Sequence, residues 1–311
     1  MGYGMKETHV SVPLTNFALR FKQDQKNFIA DMIVPEIKVT KQADKFFTFD
    51  RGNYRGDDDL RHPGSEARQA LTARLSTNAY FSNKHSLMDI VSIEEVEDAD
   101  KPLDPKQDTV SDLTDKLMIN REVECAALVF ATASVQNYTS LATASQWGYT
   151  STTTPIDDVE TGRVAVAKEI GFEPNAAACG REVYQVLRNH EDILDRIKYS
   201  EKGILTEDLI ASVMDLDKLL VGRAVNLTTN EGIASETSAY IWGKNLTIAY
   251  VNARPSKKAI SFAYNFAKKT GMRVKDFWLE KNEGWQIEAT TWYDYESISK
   301  YAGYTIFGAV A

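Results

Sequence analysis

Residues 108–132 read DTVSDLTDKLMINREVECAALVFAT, a run with neither Gly nor Pro. Val110, Leu113 and Leu117 fall at helical spacing, and Val123, Ala127 and Phe130 carry an apolar stripe onward. Asp112, Asp115, Lys116, Arg121 and Glu122 take the other side. Asp108 and Ser111 are short polar residues suited to capping the first turn, where acidic groups also complement the helix dipole. At ~1.5 Å per residue the helix is roughly 36 Å long, about twice the average globular helix. The spacing predicts a spine helix over 108–132, with polar extended chain before it and an α/β domain after it.

Working back from that helix, residues 94–107 (EEVEDADKPLDPKQ) form an acidic linker with two prolines, whose carboxylates match no calcium-loop spacing. Residues 36–93 read as a long β-hairpin. Its outgoing strand is Lys45 to Phe49. Its tip, DRGNYRGDDDLRHPGSEARQ, is dense in Gly, Asp and Arg, with a Pro63-Gly64 turn signal. On the return, Leu71, Ala73, Leu75, Thr77, Ala79 and Phe81 alternate with polar residues and Tyr80. A lone two-stranded ribbon is marginal in water, and nothing nearby in the chain offers it a surface, so that surface is expected on another subunit. The inter-subunit candidates are Phe46, Arg51, Arg55, Asp57, Asp58, Asp59, Arg61, Glu66, Arg68 and Arg74, mixed charges suited to complementary docking between copies. Residues 1–35 look like an arm anchored by sparse apolar residues (Phe17, Leu19, Phe21, Phe28, Ile29, Met32, Ile33), expected to lie on a neighbour.

Working forward, residues 133–154 read as a Ser/Thr/Ala-rich surface loop around Trp147. Thr154-Pro155 opens a helix that runs to Gly171. Residues 176–179 are a short strand; 181–187, 193–199 and 206–214 are helical; 218–220 and 225–227 are strands. A hairpin is expected from 240–244 and 246–251, and 252–284 is less regular. The end is β-rich, over 285–293 and 300–307, and suited to pack beside the spine.

The chain has 311 residues, a net charge of -8 and a sequence pI near 5.2. That balance argues against a protein that coats nucleic acid. Cys125 and Cys179 stand at no metal-ligand spacing and read as two buried free thiols. No apolar run approaches the ~20 residues of a membrane span. Catalytic motifs are missing: no GxGxxG, Walker loop, HExxH or GxSxG. His9, His62, His85 and His190 are scattered, with His190 read as a surface helix junction. The residues thus point to no enzyme, no cofactor and no metal site.

The order of parts resembles the major capsid proteins of tailed bacteriophages, with the Hong Kong 97-type fold. Asn27-Phe28-Ile29-Ala30-Asp31 to Pro35 resembles the family's opening segment, and Leu75 to Phe81 the strand leading out of its extended loop. Leu103-Asp104 and Thr114 to Leu117 are similar to the start of its spine. Gly180 to Tyr184, Arg196 to Tyr199 and Ile241 to Lys244 resemble its capsomer-centre domain, and Ala302 to Ala311 its close.

The resemblance implies an α+β fold with an N-terminal arm at 1–35 and an extended loop at 36–90. A peripheral domain takes 91–150 and 285–311, and an axial domain 151–284. It also implies hexamers and pentamers that tile an icosahedral shell in the virion, assembled in the host cytoplasm. Such a shell encloses double-stranded DNA without reading its sequence, and no membrane is involved. Because the chain begins almost at the arm, any scaffold is expected to be a separate protein or to have been removed already, alongside a portal. An encapsulin-type nanocompartment shares this fold and is the alternative; a soluble hydrolase with an unrecognised site is a remote one.

Overall fold

The computed structural model describes residues 26–49, 60–64, 66, 76–99, 104–149, 152–197, 205–228 and 237–311. In the first part of the chain come α1 (Ala30–Ile33), β1 (Glu36–Val39), β2 (Ala43–Thr48), β3 (Ser76–Phe81), β4 (Asn83–Ser92), α2 (Ile93–Glu97), the spine α3 (Pro105–Val129) and β5 (Asn137–Ser140). Then follow α4 (Pro155–Ile170), β6 (Ala176–Gly180), α5 (Arg181–Asn189), α6 (Glu191–Ile197), α7 (Glu207–Val213), β7 (Lys218–Gly222), β8 (Val225–Leu227), β9 (Ser238–Tyr240) and β10 (Leu246–Ala249). The last strands are β11 (Ala263–Lys268), β12 (Arg273–Leu279), β13 (Gly284–Tyr293), β14 (Tyr295–Ser297) and β15 (Gly303–Phe307).

The spine starts earlier than its sequence suggests. Asp104, not Asp108 or Ser111, is the N-cap: its carboxylate accepts from the amides of Lys106 (3.1 Å) and Gln107 (3.3 Å), and Pro105 takes the first helical position. The buried face runs Val110, Leu113, Thr114, Leu117, Met118, Arg121, Glu122, Cys125, Ala126 and Val129. That is one continuous stripe at i, i+3, i+4. Val123 and Ala127, expected inside, lie on the exposed side. Arg121 and Glu122, expected outside, are buried, because the positions that continue the stripe from Leu117 are theirs. The first half of α3 packs with Val91, Val274, Ile287 and Ala289; the second half joins the main core through Cys125, Ala126 and Val129. One helix therefore braces two cores.

Three sheets surround it. The antiparallel sheet β12-β13-β4 lies against the first half of α3. The main core holds the five-stranded mixed sheet β5-β15-β10-β6-β7, with α4, α5 and α7 on it. The third, β1-β11-β14, carries the base of the β2-β3 ribbon. β8 and β9 form a small hairpin of their own.

Several expectations are corrected. The segment 240–251 is no hairpin: β9 pairs with β8, whereas β10 lies between β15 and β6. Between them Trp242 is fully buried, and Gly243 turns the chain at φ 52°. The irregular stretch 252–284 contains β11 and β12. The acidic linker contains α2, whose capping box joins Ser92 and Glu95. The loop 133–154 contains β5, and its Trp147 is buried, with Nε1 donating to Asp158 at 2.8 Å. His190 sits at the α5–α6 junction but is fully buried, its Nδ1 accepting from the Asp192 amide and its Nε2 bonded to Thr153 Oγ1, each at 3.2 Å. Thr154 makes no side-chain cap, although Pro155 does open α4 and Gly171 closes it at φ 68°. β12 is the hairpin partner of β13 and belongs with the spine's sheet, whereas β15 is an inner strand of the five-stranded sheet. Cys125 and Cys179 are buried free thiols, as expected.

Candidate assembly site

The ribbon base is set by two rings. In the register Asp44↔Tyr80 and Phe46↔Asn78, Phe46 and Tyr80 share one face. Both are buried against Phe266, at ring-centroid distances of 5.1 Å and 4.5 Å. This reverses the expected face: Tyr80 points in, while Ala79 and Phe81 are exposed. The small residues of the alternation carry little burial energy, so the aromatic ring decides which face packs. It also corrects the expectation that the chain offers the ribbon no surface, since its base rests on Ile37, Val39, Tyr264, Phe266 and Ile298 of the same chain.

Phe46 is thus a core residue and not an exposed inter-subunit contact, because the β1-β11-β14 sheet of the same chain covers it through Phe266. Arg61 and Glu66 are exposed. Arg51, Arg55, Asp57, Asp58, Asp59, Arg68 and Arg74 lie outside the described residues.

Where the ribbon ends, the chain is fastened. The amide of Phe81 donates to Asp294 Oδ2 at 2.7 Å, and Ser82 Oγ donates to the Phe266 carbonyl at 2.7 Å. Lys257 Nζ pairs with Asp44 at 3.0 Å. β4 then runs along β13 for ten residue pairs, from Asn83↔Tyr293 to Ser92↔Gly284. Lys84, Ser86, Met88 and Ile90 lie on the face turned away from the spine, beside Glu288 and Trp292. There Glu288 accepts from Ser86 (2.7 Å), Lys84 (3.1 Å) and Thr290 (3.0 Å), which hold its carboxyl down at about 2. Met88 is 57% exposed.

The charges that the sequence reading placed outside are the hub of the subunit. Glu122 accepts from the amides of Ile29 (2.9 Å) and Ala30 (3.1 Å) and from Trp242 Nε1 (2.6 Å). Burial pushes its carboxyl up, and these three donors pull against that shift. Arg121 Nε donates to the Tyr295 hydroxyl at 3.0 Å, and Nη2 contacts Asp31 and, at 3.4 Å, Glu36. Burial disfavours the Arg121 charge, but Tyr295, Asp31 and Glu36 outweigh it and hold the guanidinium charged. The last part of the arm, residues 26–34, is therefore tied into its own subunit, with Ile29 and Ile33 buried. The signal for this was in the sequence: two adjacent charges falling on the helix's apolar phase.

Among the described residues no group of His, Cys, Asp and Glu is placed to hold a metal ion, and no helix is long and apolar enough to cross a membrane. A hollow of about 480 Å³ under the ribbon is lined by Thr48, Ser76, Asn78, Ser134 and Glu296 among others.

No protein-family profile matches the chain. It is 25% identical to the major capsid protein of Burkholderia phage BcepMu, over 99% of each chain. Its fold matches the crystal structure of a phage-related protein from Bordetella bronchiseptica RB50 at a TM-score of 0.77 and 22% identity, covering 98% of this chain and 99% of that one. It matches the capsid of cyanophage P-SCSP1u at 0.57 and 9%, over 100% of this chain and 91% of that one. Over its whole length the chain is similar to a phage major capsid protein, and its fold is the Hong Kong 97-type fold of phage shells.

Proposed function

We infer that this chain is the repeating unit of an icosahedral phage head, a structural protein and not an enzyme. The observation that carries the reading is the whole-length similarity to a phage major capsid protein. Many copies make the shell, which places the protein in the virion capsid.

Finer features belong to the same proposal. Copies gather as hexamers and pentamers, with the ribbon tip of one reaching its neighbour. A separate scaffolding protein guides closure, a portal occupies one vertex, and assembly takes place in the host cytoplasm. The shell encloses double-stranded DNA without reading its sequence. The net charge of -8 supports this, since phosphate neutralisation calls for a basic surface. The encapsulin alternative is disfavoured by the phage relative.

The test is the purified particle. Negative-stain images should show closed shells, or capsomers when no scaffold is supplied, and extraction should yield DNA. A strictly monomeric protein at high concentration with scaffold supplied would overturn the reading, and an enzyme cargo in place of DNA would favour the alternative. Replacing residues 53–66 with a Gly-Ser turn should leave the subunit's circular dichroism intact and abolish shells. Normal shells from that variant would leave the tip no assembly role.

A further inference from the structure

The second half of α3 has an exposed side that faces the β8–β9 hairpin across a groove of about 360 Å³. Val123, Ala127 and Phe130 line one wall; Asn226, Ala239 and Tyr240 line the other. Val123 is 36% and Tyr240 38% exposed. With Ala127, Phe130 and Ala239 they give the groove apolar walls suited to a docked segment. Among the described residues β8 is paired as a strand with β9 alone, which leaves it an edge able to accept another strand.

The described part of the arm begins beside this groove. Ile29 is held by Glu122, the residue before Val123. The Asn27 carbonyl accepts from the Arg223 amide at 3.3 Å, two residues before Val225. Both walls are therefore within one or two residues of the point where the chain leads back towards its N-terminus. The segment that leads back includes Phe17-Ala18-Leu19-Arg20-Phe21. Large apolar residues at every second position are the pattern of a strand that buries one face. From Asn27 to Phe21 an extended chain spans roughly 20 Å, at ~3.3 Å per residue.

We propose that the groove between α3 and the β8–β9 hairpin is the seat of the chain's own N-terminal segment, with Phe17, Leu19 and Phe21 set against Val123, Ala127 and Tyr240 and the backbone added along β8. A short tether holds a segment at an effective concentration of about millimolar, so a neighbour's arm competes at a disadvantage. Strand addition supplies main-chain hydrogen bonds, while the groove selects the side chains. The outer half of the arm would then lie on the same subunit that anchors its inner half.

The test uses the full chain with Ala239→Cys combined in turn with Phe17→Cys, Leu19→Cys and Phe21→Cys. The native thiols do not interfere: both are fully buried, and burial pushes Cys125 well above its usual range and Cys179 up to about 12. Mild oxidation should join at least one pair within a single chain, as read by peptide mass. Mixing chains that carry only one of the two cysteines should give no cross-link. Bonds formed only between chains would assign the groove to a neighbour's arm and overturn the proposal, as would the absence of any bond. Amide exchange provides an independent measure. Removing residues 1–25, or introducing Leu19→Asp in the full chain, should speed exchange at residues 226–228 at least tenfold, and unchanged rates would overturn the proposal.

Discussion

The indole Nε1 of Trp242 donates to Glu122 at 2.6 Å, joining the middle of the spine helix to the turn that leads into the five-stranded sheet. The same carboxylate receives the amides of Ile29 and Ala30, so one side chain holds three segments together.

Glu122→Ala should leave three buried donors without partners. Each costs ~1–3 kcal/mol, which together rivals the ~5–15 kcal/mol of a whole domain, so the variant should not fold. Trp242→Phe removes one donor and should cost about 1–3 kcal/mol in urea unfolding. If Glu122→Ala unfolds at the wild-type urea midpoint, the hub has no structural role.

Leu117→Asp and Val123→Asp test the helical phase. Leu117 is 3% exposed and Val123 36%. An unpaired carboxylate in the core costs several kcal/mol, so Leu117→Asp should fail to fold, whereas Val123→Asp should leave the subunit folded and lose at most what the docked N-terminal segment contributes. Circular dichroism separates them. The reverse ranking would put the buried stripe on the wrong side.

Gly222→Ala should destabilise the fold by about 2–3 kcal/mol. Gly180 and Gly222 are paired at the ends of β6 and β7, and the Trp242–Gly243 turn passes over them. A Cβ on Gly222 would run into the Trp242 indole, and one on Gly180 into the Gly243 carbonyl. A thermal midpoint equal to wild type would show that the turn can move aside.

Glu288 gives the subunit an acid-labile contribution. Its carboxyl is held at about 2 against an ordinary 4.5, by Ser86 first and then Lys84 and Thr290. A depressed carboxyl stabilises the fold above its unfolded value, and that stabilisation is lost as pH falls from 4.5 towards 2. The loss should be on the order of 2–3 kcal/mol. Glu288→Gln should be less stable at pH 7 and should lose less than wild type on acidification. Parallel pH–stability curves for the two proteins would remove Glu288 from this role.

What the sequence made legible follows from how each element is covered. α4 announces itself by Pro155 at its start and Gly171 at its end. The order of the elements was readable because turns and caps are local. β11 was missed because five of its six residues are buried, so no alternation marks it. The phase of the spine differs from its sequence reading at Arg121 and Glu122, where charge argues for the surface and partners 85 to 174 residues away decide otherwise. Among the inter-subunit candidates, composition picked out the exposed Arg61 and Glu66 but could not separate them from Phe46, whose ring is covered by a strand far off in sequence.

The bond from the Phe81 amide to Asp294 spans 213 residues. At ~5–20 residues per second, a ribosome needs about 10–40 s to make that distance. Among the described residues β4 has no sheet partner other than β13, and β1 pairs only with β11. β2 and β3 can pair with each other early, but β1 and β4 of a nascent subunit must wait until the last fifth of the chain has been made. Pairing so distant in sequence is intrinsically slow. It also acts as a proofreading step: a chain broken off before residue 284 lacks the strand on which the ribbon's exit is moored, and such a fragment has no finished edge to offer a growing shell.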